Sequence, residues 1–334
     1  MKKTNFMLTG LLIASLFPAV LKAQTYVADQ TIDLPGDGGY DYVSMDKPNN
    51  RLYVSHGTAV NVVDLVTNKP AGVIGDLKGI HGIAVDNKAG RGFISDGKAN
   101  EVVAFDLKTL KIIAHIPLKD ANGPDAIIYE PFSDRVFCFN GESNNSSVVD
   151  PNTLKQVSTI ALGGGPEFAV SNGKGLLYSN LEDKNSMNVI DVKTLKVIKN
   201  FPLAPGGGPT GAAMDITTQR VFSVCRENKG MEVVDAASGK VIATVPIGAG
   251  VDAVAFDPQT KLIFCSNGDG TTTIIKQESA DVYKVVQTLK TQNRAKTLAL
   301  DPVTHKIYLS VASFEGNTRK IVPNSFKVLV YKMQ

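Results

Sequence analysis

After residue 24 the chain carries short apolar runs, most of them ended by an acid, at near-regular intervals. They are Asp41–Asp46, His81–Asp86, Asp125–Glu130, Glu167–Ser171, Thr210–Asp215, Asp252–Asp257 and Lys296–Asp301. Their last residues lie 40, 44, 41, 44, 42 and 44 positions apart. Interiors such as Ala126-Ile127-Ile128-Tyr129 are apolar at successive positions, the pattern of a strand buried on both faces. Turn residues follow, as in Asp257-Pro258 and Asp301-Pro302, and then a second run in each unit. These second strands are Arg51–His56, Arg91–Asp96, Arg135–Asn140, Leu176–Asn180, Arg220–Cys225, Leu262–Asn267 and Lys306–Val311. Third strands such as Asn61–Asp64 and Ser147–Asp150 lead through a turn to outer strands such as Ile112–Leu118 and Val241–Ile247. Four strands in a period a little over 40 residues make one propeller blade, so seven copies predict an all-β, seven-bladed β-propeller.

The last unit ends after Phe326–Lys332 without an outer strand of its own. Tyr26–Leu34 has the outer-strand pattern and leads into the Gly-rich turn Gly36–Gly39. The expectation is that this N-terminal strand completes blade 7 and closes the ring, which removes exposed strand edges. Residues 24–334 then form a single domain.

The first 23 residues read as a removed export signal. Lys2 and Lys3 precede an apolar run from Phe6 to Val20, and Ala23 supplies the small residue before the cut. Cleavage leaves no membrane anchor and places the protein in the periplasm or outside the cell. Loss of Lys2, Lys3 and Lys22 leaves basic and acidic side chains equal at 32, a balance that speaks against nucleic acid as partner. Cys138 and Cys265 occupy equivalent positions of blades 3 and 6, across the ring from each other and beyond the roughly 7 Å that a disulfide spans. The three cysteines are therefore expected as buried thiols, and the chain as a monomer.

The segments Leu52-Tyr53-Val54-Ser55-His56, Leu177-Tyr178-Ser179-Asn180 and Ile263-Phe264-Cys265-Ser266-Asn267 resemble the repeats of YVTN-repeat propellers. Together with the export signal, the chain is most similar to their YncE-like branch. The resemblance implies a periplasmic or cell-surface protein that binds partners, with lactonase-type enzymes on related seven-bladed scaffolds. Its motifs are structural residues, so fold analogy does not choose an activity.

In a propeller the inner strand starts, and the second strand ends, at one face. Two rings of side chains are expected around that channel mouth. The first is Asp41, His81, Asp125, Glu167, Thr210, Asp252 and Lys296; the second is His56, Asp96, Asn140, Asn180, Cys225, Asn267 and Val311. Asp41, Asp125, Glu167 and Asp252 are hard oxygen donors suited to Ca²⁺ or Mg²⁺. His81 or His56 suits a general base, and Lys296 suits an anion or developing negative charge. Crowding of the carboxylates should raise at least one pKa. The same residues also read as turn-ordering groups at a wet channel mouth. His115, in an outer strand, and His305, in a turn, are assigned structural or solvent roles.

Phosphate-loop, nucleophile-elbow, His-Glu-x-x-His and Cys-x-x-Cys-His motifs do not occur. Two readings remain. One is a binding module presenting its loop face to a protein, glycan or small ligand, helped by the polar loop Ser313–Ser325. The other is a divalent-metal-assisted hydrolase or lyase, lactonase-like, at the mouth.

Overall fold

Seven four-stranded antiparallel sheets account for the strands of the computed structural model, which describes residues 1, 25–36, 38–316 and 318–334. The expected export signal lies outside the described residues apart from Met1. The inner strands of blades 1 to 7 are Tyr40–Asp46, Ile80–Asp86, Pro124–Glu130, Pro166–Ser171, Pro209–Asp215, Val251–Asp257 and Leu298–Leu300. Each touches the inner strand of the next blade, and that of blade 7 touches that of blade 1. The ring is closed by the N-terminal strand Tyr26–Asp33, which pairs antiparallel with Lys327–Met333 from Tyr26↔Met333 to Asp33↔Lys327. Among the described residues the sole helical piece is the 3-10 turn Glu182–Lys184, and no helix is long and apolar enough to cross a membrane.

Apolar residues fill the wedges between blades. Tyr53, Val60 and Ile74 of blade 1 pack with Ile83, Ile94 and Phe105 of blade 2, and equivalent sets recur around the ring. The acid ending the third strand of blades 1 to 5 caps the following turn: Asp106 Oδ1 accepts the Lys108 and Thr109 N–H groups at 3.1 and 2.7 Å, as Asp64, Asp150, Asp191 and Asp235 do in theirs. In three of these turns a leucine takes the left-handed position, Leu110, Leu154 and Leu195 at φ 60°, 55° and 55°. That backbone costs a leucine about 1–2 kcal/mol. Burial of the side chain against the neighbouring blades offsets it. Cys138, Cys225 and Cys265 are unpaired and buried, with burial pushing all three thiols up.

Blade 7 differs from expectation at its inner strand, which is regular only over Leu298–Leu300 instead of starting at Lys296. The Lys296 carbonyl turns to the neighbouring blade, accepting the Ala253 N–H at 3.2 Å, and Thr297 Oγ1 donates to the Asp41 carbonyl at 2.6 Å.

Candidate functional site at the channel mouth

The start of every inner strand from blade 1 to blade 6 is bulged. Register shifts fall between Tyr40 and Val43, Ile80 and Ile83, Pro124 and Ile127, Pro166 and Ala169, Pro209 and Ala212, and Val251 and Ala253. The unpaired residues include Asp41, His81, Asp125, Glu167, Thr210 and Asp252. A bulge re-aims a side chain out of the ladder, so repeating it at one position gathers these groups at one opening. Blade 7 contributes Lys296, just ahead of its short strand.

Acidic and basic groups around this opening alternate in blade order. His81 Nδ1 lies 2.9 Å from Asp41 Oδ2 and 3.6 Å from Asp125 Oδ1. Lys296 Nζ pairs with Asp252 Oδ2 and lies 3.7 Å from Asp41 Oδ1. Blade 5 offers the uncharged Thr210, and Arg226, at the end of its second strand, stands in as the cation. Its guanidinium pairs with Asp252 and, at 2.7 Å, with Glu182. An odd ring cannot alternate throughout, and the mismatch falls on Glu167 of blade 4. Burial, and then the charges of Asp125, Glu182 and Asp252, push its carboxyl up to about 9. Glu167 is thus neutral at pH 7 and carries a proton it can donate in a hydrogen bond. Asp125 is pushed up to about 6 by burial and then by Asp41. The Asp41 hydrogen bond raises His81 against the opposing effect of burial. Burial opposes the charge of Lys296, but Asp252 and Asp41 outweigh it and raise its pKa.

The opening has a floor. Tyr42 and Phe168 come from blades 1 and 4, which are not neighbours, yet their rings sit 5.6 Å apart across the axis. With Ala212, Val254 and Leu298 they bound a void of about 50 Å³. Burial, followed by Asp125, Asp41, Glu167 and Asp252, pushes the Tyr42 phenol well above its ordinary value. The mouth is therefore a shallow charged cup over an aromatic plug.

The second expected ring is used inside the blades. His56 is buried, stacked at 3.8 Å on Phe326 and 3.2 Å from Asn61 Nδ2. Asp96 accepts the Lys78 and Gly79 N–H groups at 2.7 and 2.9 Å. Asn140 donates to Asn145 and Ser147, and Asn267 to Thr271 and Thr273. Asn180 donates to the Thr210 and Gly211 carbonyls at 2.8 and 3.1 Å. Thr210, 1% exposed, turns its hydroxyl toward backbone carbonyls. Side chains alternate along a strand, so the residue one earlier meets the inner strand: Ser55 Oγ accepts the Asp41 N–H, Ser95 Oγ the Gly82 N–H. His115 pairs with Glu101 at 2.7 Å and His305 with Asp257 at 2.6 Å, away from the mouth.

Sequence reasoning gave neither Glu182 nor Arg226 a role. The available signal was an arginine directly after Cys225, in the blade whose first-ring residue is uncharged. As for a cation, Asp41, His81 and Asp125 place one donor atom each within 4.8 Å of the others. Asp125 Oδ1 is buried without a hydrogen-bond partner among the described residues, which fits a metal ligand. The four-carboxylate set fits less well, because Asp252 already holds Lys296 and Arg226.

Fold and mouth together define an all-β seven-bladed propeller with a self-neutralised polar cup on one face. Solved structures agree on the fold. A chain of hydrazine synthase from Kuenenia stuttgartiensis is 18% identical, with TM-score 0.72, over 83% of this chain and 94% of that one. A chain of a mitotic checkpoint complex is 13% identical, with TM-score 0.76, over 98% of both chains. A curated relative, Antigen Lp49 of Leptospira interrogans serogroup Icterohaemorrhagiae serovar copenhageni (strain Fiocruz L1-130), is 25% identical over 183 residues, 52% of this chain. The match spans 39% of that relative's length. No protein-family model matches the chain.

Proposed function

We propose that the protein is an exported, YncE-like member of the YVTN-repeat propellers that acts as a binding module, with its ligand or partner seated on the mouth face. The observation that carries this is the alternating ring from Asp41 to Lys296 over the Tyr42–Phe168 floor. A ring whose charges cancel offers donors and acceptors side by side, which suits a glycan, a peptide segment or another polar ligand bearing both. The floor makes the mouth a terminus for a ligand and not a passage. The antigen name of the Leptospira relative supports an exported, exposed protein. A thermal-shift screen of oligosaccharides and peptides tests the proposal. Ligands that stabilise the wild type should lose their effect in Arg226→Gln and Lys296→Met, and stabilisation untouched by both changes would refute it.

A second reading, favoured by the Asp41–His81–Asp125 arrangement, is a divalent-cation site supporting hydrolysis or elimination. One imidazole among carboxylates moves the preference from Ca²⁺ and Mg²⁺ toward Mn²⁺ or Zn²⁺. A bound ion would supply charge for polarising an ester or lactone carbonyl. Against this reading, the hydrogen bond from Asp41 favours the protonated form of His81, and Lys296 already faces Asp41.

A further inference from the structure

Beside the mouth, between blades 6, 7 and 1, lies a separate pocket of about 480 Å³. Its wall is basic and aromatic: Arg294, Lys296 and Arg319 with Tyr40, Phe314 and Ile321. Among the described residues no carboxylate lines it. Lys296 spends its charge on Asp252 and Asp41, but Arg294 and Arg319 have no ion-pair partner among the described residues. Within the alternating ring His81, Lys296 and Arg226 each face an acid, so two guanidinium groups without an ion pair on one cavity stand apart from that ring.

The pocket is also held in shape. The Arg294 guanidinium lies 4.0 Å above the Phe314 ring, and Tyr40 packs beside that ring with centroids 6.4 Å apart. Tyr40 Oη donates to the Arg294 carbonyl at 3.0 Å, and the Arg294 N–H donates to the Gly268 carbonyl at 2.8 Å. Phe314 is itself pinned by an antiparallel bridge to Ile321, and the Lys320–Glu315 pair at 2.8 Å braces the same hairpin. A stacked arginine is pre-oriented, so less side-chain entropy is lost when its fork meets an anion.

We propose that this pocket binds a small organic anion: a carboxylate, phosphate or sulfate head held between Arg294 and Arg319, with a flat or apolar body on Phe314, Tyr40 and Ile321. Lys296 borders both sites, but the anion is held by Arg294 and Arg319, so the pocket does not depend on anything occupying the alternating ring.

Calorimetric titration with phenyl phosphate, benzoate, inorganic phosphate and phenol tests it. Phenyl phosphate or benzoate should bind about tenfold tighter than inorganic phosphate, and phenol should give no binding heat. The tighter of the first two identifies the head group. The double variant Arg294→Gln, Arg319→Gln should lose about tenfold in affinity, while Lys155→Gln on a distant outer strand changes nothing. Arg319 is exposed, so Arg319→Gln alone, expected to lose about threefold, keeps the test readable if the double variant does not fold. Absence of binding up to about 10 mM, phenol binding as well as the anions do, or affinity unchanged in the arginine variants would each overturn the proposal.

Discussion

Replacing Tyr26 by alanine probes how the ring is held shut. Tyr26 lies in the N-terminal strand that completes blade 7, is 1% exposed, and meets Phe264 of blade 6 edge-on at 5.0 Å. Its hydroxyl donates to the His305 carbonyl at 2.7 Å. Its backbone N–H donates to Gln287 Oε1 at 2.7 Å, and its carbonyl accepts from Gln287 Nε2 at 2.8 Å. Truncating a buried aromatic costs about 3–5 kcal/mol, and the hydroxyl contributes about 1 kcal/mol of its own. Tyr26→Ala should therefore lose about 4–5 kcal/mol in urea unfolding of residues 24–334, and Tyr26→Phe about 1. In a domain of this size the alanine loss lowers the melting point by roughly 5–10 °C. Deleting the whole strand should cost more, because Ile32 and the Asp29 pairs with Lys306 and Lys332 go with it. A Tyr26→Ala protein within about 1 kcal/mol of wild type would refute the latch, since the buried contacts would then carry no closing energy.

Glu167→Gln tests the neutral position in the ring by pH. A carboxyl raised in the folded state holds its proton longer there than when unfolded, so stability falls as pH rises from the unfolded value of about 4.5 through the folded value of about 9. The glutamine variant should match wild type near pH 4 and become the more stable of the two at pH 9 in paired melts; identical pH profiles would show that no raised carboxyl sits there. In blade 2, Gly92 faces Phe105, where blades 1, 3, 4 and 5 pair Leu52 with Val63, Val136 with Val149, Leu177 with Ile190 and Val221 with Val234. A Cβ at Gly92 would collide with the Phe105 ring, so Gly92→Val should cost about 1–3 kcal/mol and Phe105→Val should recover most of it, a cycle that additive losses would contradict. For the metal reading, Mn²⁺ or Zn²⁺ added after a chelator should raise the melting point, and Asp125→Asn should abolish the rise. Absence of any shift retires that reading and leaves the binding proposal standing.

The blade count, the strand order and the N-terminal latch were legible because each depends on a local pattern repeated seven times. Apolar runs, turn acids such as Asp106 and the unmatched edge of blade 7 all speak through the sequence itself. The mouth was only half legible. Equivalent first positions of the inner strands did gather, Thr210 excepted, because one repeated bulge aims them alike. His56, Asp96, Asn140, Asn180 and Asn267 sit at the right height but turn into the blades, since one step along a strand reverses a side chain's direction and Ser55 and Ser95 hold the inward positions. Arg226 went unseen because it acts by substituting for Thr210, a relation that exists only around the closed ring. The Tyr42–Phe168 floor was hidden for the same reason, being a contact across the axis between blades distant in sequence.

Site-specific photo-crosslinking on both faces of the ring, in cells producing the protein, tests the binding proposal most directly. The probe goes at Asp183, exposed on the mouth face, and in a second strain at Asn87, exposed at the opposite end of the channel. The account predicts a discrete adduct from Asp183 whose mass identifies a protein, glycan or small ligand, its loss in Arg226→Gln, and none from Asn87. An adduct from Asn87 alone, or one from Asp183 that survives Arg226→Gln unchanged, would contradict it.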